Sequence, residues 1–553
     1  MDVANSYRNL NIPIPKYITF RVIPFAVIGI LISVSLAFMY PWLFLDTFLI
    51  VLLYLLPVFL TVVALFYPVI YDEVRSAKID KDMYLFITRL GALSASDLSE
   101  RGFKEIFGMM EMYDELGSEM KRLERMAAEW NMSLSEAART IAKNTPSELL
   151  SDFLERLAYA LETHTSPKEF FKDEQKTVMN AYSNEYENML FRLDVLQELY
   201  IASITMVLFA MVLSIIVPFV IEVNSEVIVT LIFFFFVIVS FISGWVFLKL
   251  IPRTRIWYEG DLKSDIVDKL NRLFMVSVAI SCTVAIASIF LHDVSILTRA
   301  AVVLTPLIAP GAYAALQESR IIRRDYNFSS FIRSLAGNTP AQTGDHVKGV
   351  GKLRFHDLGT LKENIKALYR RLKMNIDSES SWRYFGCETG SFLINEFSNI
   401  FLTSSQYGAH PEETAPIISD NFMKVRDLRD KKIMRAKSLQ SVLFGLIAVL
   451  TLTISMVFLI MGEINEMFVE LDMPMGLEEI LGDIGFIRTA PVELASYYPL
   501  LLIMIFAQAT MSAVLCWHVK GEHAYISLAK FSMMIWISAI VYYLAELGVS
   551  IIF

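Results

Sequence analysis

The feature that most constrains this chain is the blocking of its apolar residues, which fall in long uncharged runs separated by charged stretches. A bilayer core of about 30 Å needs roughly 20 apolar residues in a helix, and a spanning helix satisfies its own backbone there. Nine runs qualify, near residues 22–40, 48–70, 200–220, 227–250, 273–291, 295–317, 440–462, 498–518 and 529–553. A mean hydropathy of +0.49 agrees, because soluble chains of similar apolar content rarely reach a positive mean. Arg8, Lys16 and Arg21 precede the first run as in a signal peptide. That run is too long for a signal, lacks a small-x-small cleavage site and is followed almost at once by a second, so both are expected to remain as anchors.

Basic residues set the orientation. The connections near 41–47, 221–226 and 292–294 contain no Lys or Arg, and 463–497 has only Arg488 against eight acids. The opposite side carries Arg8, Lys16 and Arg21, then Lys249, Arg253, Arg255, Lys263, Lys269 and Arg272, together with both large polar segments. Nine spans satisfy every loop, with a cytoplasmic N-terminus and an external Phe553. The chain divides into 1–70 (N-terminal segment and two spans), 71–199 (first cytoplasmic helical domain), 200–317 (four spans), 318–439 (second cytoplasmic helical domain) and 440–553 (three spans and an acidic external loop at 463–497). The fold class is all-α: a polytopic membrane protein with about nine transmembrane helices and two duplicated helical-bundle domains.

The same residues exclude several functions. A net charge of −9 argues against nonspecific nucleic-acid binding by the whole chain. Cys282, Cys387 and Cys516 have no pairing or metal spacing and read as reduced thiols. Charge within the spans is nearly absent. Arg299 is close to the outer end of its run and reads as a snorkelling or packing residue, where a transporter would carry a polar midplane site. Residues 349–352 (GVGK) imitate the tail of a phosphate-binding loop, but His346 and Leu353 break the motif. His518 and His523 lack ligand partners at useful spacing. No catalytic, cofactor or metal site is expected, and no enzyme activity.

Both polar segments read as helical. Leu149, Leu150, Phe153, Leu154, Leu157, Ala158 and Leu161 form one apolar stripe, behind helix starts at Ser133–Glu136, Thr145–Glu148 and Ser166–Glu169. Residues 131–167 align without gaps to 375–411 at an offset of 244, pairing Arg139 with Arg383, Leu149 with Leu393, Phe153 with Phe397 and Pro167 with Pro411. A duplication is implied. The second copy adds a Gly/Thr-rich loop at 336–352. From Lys168 to Val217 no Gly or Pro interrupts the pattern, which is either one rod or two helices broken near Asn184.

The two domains differ in charge: 71–199 holds 16 Lys/Arg and 25 Asp/Glu, whereas 318–439 holds 20 and 14. Lys424, Arg426, Arg429, Lys431, Lys432, Arg435 and Lys437 crowd the helix entering the seventh span, with Arg426, Arg429 and Lys432 along one stripe. This stretch reads as positive-inside retention, as a partner-binding surface for an acidic ATPase, or as a contact with anionic lipid.

Residues 86–93 (FITRLGAL), 132–138 (MSLSEAA), the Phe/Leu helix that follows and the long exit helix resemble the type II secretion F domain. Platform proteins of secretion and pilus systems carry two such domains. Among them the chain is most similar to the archaellum platform branch, in its roughly 550 residues, nine spans, paired spans after each domain and acidic loop. Secretion-system members commonly carry Gly-Glu after the second helix. Residues 162–165 read ETHT and 405–408 read SQYG here, which favours the archaeal branch. The resemblance implies a non-catalytic platform, coupling a cytoplasmic hexameric ATPase to insertion of archaellin or type IV pilin-like subunits, without cofactor or nucleic acid. It also implies a homo-oligomer, a dimer being expected. A platform of another pilus or secretion system is the alternative, ahead of a membrane transporter.

Overall fold

The structure is a computed structural model that describes residues 17–24, 26–27, 30, 47–96, 113–130, 132–163, 165–220, 225–260, 262, 264–290, 294–338, 346–470 and 498–552. These are 88% helical without strands, so the all-α expectation holds. The elements fall in two units, Met1–Tyr182 and Ser183–Phe553.

In the first unit, α1 (Thr47–Leu93) ends in a core-facing segment and packs with α2 (Asp114–Glu129) and α4 (Glu148–Glu162), between which α3 (Leu134–Ala142) makes its own contacts with both. Ser133 caps its helix as expected, its Oγ accepting from Glu136 N, whereas the next helix begins two residues later than a Thr145 cap would set it, at Ser147, whose Oγ accepts from Leu150 N. The apolar stripe of α4 turns inward, with Phe153 meeting Phe86 edge to face at 5.5 Å. Helix α5 (Pro167–Val220) passes Asn184 without a break and continues into the second unit.

The second unit contains α6 (Ser225–Leu250), α7 (Asp265–Ser288), α8 (Ile296–Leu304) and α9 (Ile308–Asn338). Next come α10 (His346–Leu353), α11 (Lys362–Lys373), α12 (Ser378–Thr389) and α13 (Phe392–Gln406). Three long helices follow, α14 (Pro411–Glu470), α15 (Tyr498–Lys520) and α16 (Ala524–Ile552). The repeat appears as matching helix limits: Glu148–Glu162 recurs as Phe392–Gln406 and the start at Pro167 as Pro411, the same 244 residues on. The serine caps Ser147 and Ser391 also correspond. Trp382, Phe385, Phe397, Phe401 and Phe422 fill the core of the second copy.

Six helices among the described residues are long and apolar enough to cross a membrane. The expected first span, 22–40, lies largely outside the described residues, and so does the loop 463–497. The expected sixth span is not one straight helix: α8 and α9 are joined by a 3-10 turn at Thr305–Leu307, where Pro306 removes a backbone donor. Small polar groups join the apolar helices. Tyr200 donates to Gln508 (3.2 Å), Thr451 and Ser538 share a hydrogen bond (3.1 Å), and Trp536 donates to Thr305 (2.9 Å).

Candidate functional site

The basic stretch of α14 is the first place to look. Lys424 is half-buried. The Arg426 guanidinium sits 4.6 Å from the centroid of the Tyr326 ring and donates to Asp427. Lys431 pairs with Glu187 at 2.5 Å and Arg435 with Asp194 at 2.7 Å, both acids lying on α5. Arg429 and Lys432 are only 2% exposed, which corrects the reading of the Arg426, Arg429 and Lys432 stripe as one partner-facing surface. Arg429 pairs with buried Asp325 of α9, and Lys432 donates to the carbonyl of Pro252 at 2.6 Å. The three residues do share a helix face, but much of that face looks into the protein.

Asp325 is a node. One carboxylate oxygen takes Arg429 and the other accepts from Ser391 Oγ at 2.5 Å, the hydroxyl that also caps α13. Burial pushes the Asp325 carboxyl up, and the Arg429 guanidinium and Ser391 hydroxyl pull it back. The neighbouring Arg324 donates to Thr389 O at 2.7 Å. The start of α13 is held from the other side by the connector after α6: Tyr258 N donates to Gly390 O (2.9 Å) and Phe392 N to Ile256 O (3.1 Å).

The same connector meets the turn between α15 and α16. His518 Nε2 lies 2.7 Å from Ile251 O, and the His523 ring packs against Trp257. Gly521 has φ +73° and approaches so closely that a Cβ there would sit 1.9 Å from Thr254 O. Around this contact three buried charges and the half-buried Lys520 close a network. Lys520 bridges Glu318 (2.9 Å) and Glu522 (3.1 Å), Lys530 reaches Glu522 at 2.7 Å, and Trp257 Nε1 donates to Glu318 at 3.3 Å. Two carboxylates and two ammonium groups neutralise one another, which is what lets them be buried.

Sequence reasoning missed Asp325, Glu318, Lys520, Glu522 and Lys530. It also overlooked that Lys530 and Glu546 fall inside the apolar run 529–553. Lys530 was the available signal, since a charge in an apolar helix implies a partner. Arg299, by contrast, donates to Val294 O at 2.9 Å, a local helix-end contact that fits a packing role. Among the described residues no group of three His, Cys, Asp or Glu could hold a metal. The arrangement is a polar junction that fastens the second helical domain to the ends of α6, α9, α15 and α16.

Two proteins named flagella accessory protein J are similar to this chain over nearly all its length. That of Methanocaldococcus jannaschii is 32% identical over 549 residues, 97% of this chain and 96% of the relative. That of Methanococcus voltae is 30% identical over 532 residues, 94% of each. No family model matches the chain, and no solved structure does. Identity at this level, carried through both repeats and the membrane helices between them, shows that the chain belongs to the flagella accessory protein J family.

Proposed function

We propose that this chain is the membrane platform of an archaellum, coupling a cytoplasmic hexameric ATPase to the insertion of archaellin subunits into the filament. The observation that carries the reading is the junction at residues 251–260. This short connector is hydrogen-bonded to the start of α13 in the helical domain and to the last turn of α15. A displacement of the domain is therefore passed to membrane helices rather than absorbed by a loose linker. The buried pairs Asp325–Arg429 and Glu318–Lys520 resist slippage, because separating them would strand unpaired charges.

In this reading the N-terminus and both helical domains, 71–199 and 318–439, face the cytoplasm, Phe553 lies outside, and the protein works as a homodimer without nucleotide hydrolysis of its own. The exposed Lys431, Arg435 and Lys437 form the ATPase-facing edge, with Lys424 and Arg426 beside it, while Arg429 and Lys432 hold the fold. Arg435→Glu with Lys437→Glu is expected to leave insertion intact, to abolish co-purification with the ATPase and to stop filament assembly. Normal filaments in that double variant would remove the docking role. A reporter fused to the C-terminus and active only in the cytoplasm should stay silent.

A further inference from the structure

The junction gathers nitrogen-bearing side chains around three successive residues, Ile251, Pro252 and Arg253. His518 is held by the carbonyl of Ile251 and Lys432 by that of Pro252. The Arg253 guanidinium then lies 4.5 Å from the centroid of the Trp517 ring. Two of these donors, Arg253 Nε and Trp517 Nε1, are buried and have no acceptor among the described residues. A buried N–H without an acceptor is costly, and two of them on side chains that lie against each other suit an anion as acceptor. The location narrows its chemistry. Helix α6 ends at Leu250 and α15 at Lys520, so the cluster lies at the membrane edge, on the side the basic loops mark, where phosphate groups of lipids lie. An Arg fork is suited to phosphate oxygens and an indole N–H adds a single donor.

We propose that Arg253 and Trp517 form a binding site for an anionic phosphate group at the membrane edge, supplied by a lipid headgroup or by free phosphate. The site is independent of the platform reading, because its test reads binding and not filament assembly. Full-length protein in detergent is titrated with dioleoylphosphatidylglycerol, phosphate-free dioleoylglycerol or inorganic phosphate. Thermal midpoint is followed throughout, and retained lipid is counted by native mass spectrometry.

A saturable response to phosphatidylglycerol assigns a headgroup, and a response to phosphate alone assigns the free ion. Arg253→Gln is expected to weaken binding about tenfold, as loss of a charge-assisted bond does. Arg253→Lys should restore part of it, and Lys249→Gln, on an exposed neighbouring position, should change nothing. Trp517→Phe keeps the ring and removes only the N–H, so it carries the test should Arg253→Gln fail to fold. No response to either phosphate-bearing ligand, an equal response to phosphatidylglycerol and to phosphate-free dioleoylglycerol, or wild-type binding in both Arg253→Gln and Trp517→Phe would overturn the proposal.

Discussion

Single residues differ sharply in what they can tolerate, and the glycines show it. Gly521 combines a left-handed φ of +73° with backbone 1.9 Å from where a Cβ would stand. Gly521→Ala should lose more than about 1 kcal/mol of stability. Gly445, exposed on α14 with nothing within 4 Å of a Cβ, should accept Ala with no loss or a gain of up to about 1 kcal/mol. Thermal midpoints of the two variants in one detergent separate these outcomes. The Asp325–Arg429 pair gives a second contrast. Asp325→Asn or Arg429→Met alone leaves a buried group unpaired and should cost about 3–5 kcal/mol, while the double variant should recover much of that loss. A double-mutant cycle measured by unfolding would show independent, additive losses if the pair were unimportant.

The helix starts were legible element by element, because a cap is local. Ser133 and Pro167 announce helices within four residues, and the duplicate starts helices at the same positions with Asp377 and Pro411, while the cap expected at Thr145 falls on Ser147. What each cap does beyond its own turn was not legible. Ser147 donates to Asp80 across 67 residues and Ser391 to Asp325 across 66, pairings that no local pattern contains. Ser147→Ala and Ser391→Ala should therefore each cost about 1 kcal/mol for the cap, with a further loss for the deserted carboxylate. Denaturant midpoints against a surface Ser→Ala control would check this.

The cap of α12, Asp377, is a carboxylate. Backbone N–H donation from Ser380 holds Asp377 below the usual carboxylate range. Its contribution is present above the ordinary Asp pKa and is lost as pH falls through the lowered folded value. Asp377→Ser should remove that acid-side dependence while keeping the helix, and an unchanged profile would deny the cap its role. The stripe on α14 marks the limit of periodicity. Spacing told which residues share a face, but only the position of Asp325 on another element decides that Arg429 turns inward.

Over the whole molecule, the described thiols report on packing. Cys387 and Cys516 are buried and Cys282 is exposed on α7, within an apolar helix. A membrane-impermeant maleimide should label all three slowly in native membranes and rapidly after denaturation; fast native labelling of Cys282 would place that part of α7 in water. One exposed contact reaches further than its strength, which for such a pair is at most about 1 kcal/mol. Glu187 and Lys431 are separated by 244 residues, the interval of the duplication, so they are the same position in the two copies. Two identical copies of the ancestral segment would set like charge against like there. Opposite charges remove that repulsion, so that at this contact each exit helix prefers the other's sequence to its own.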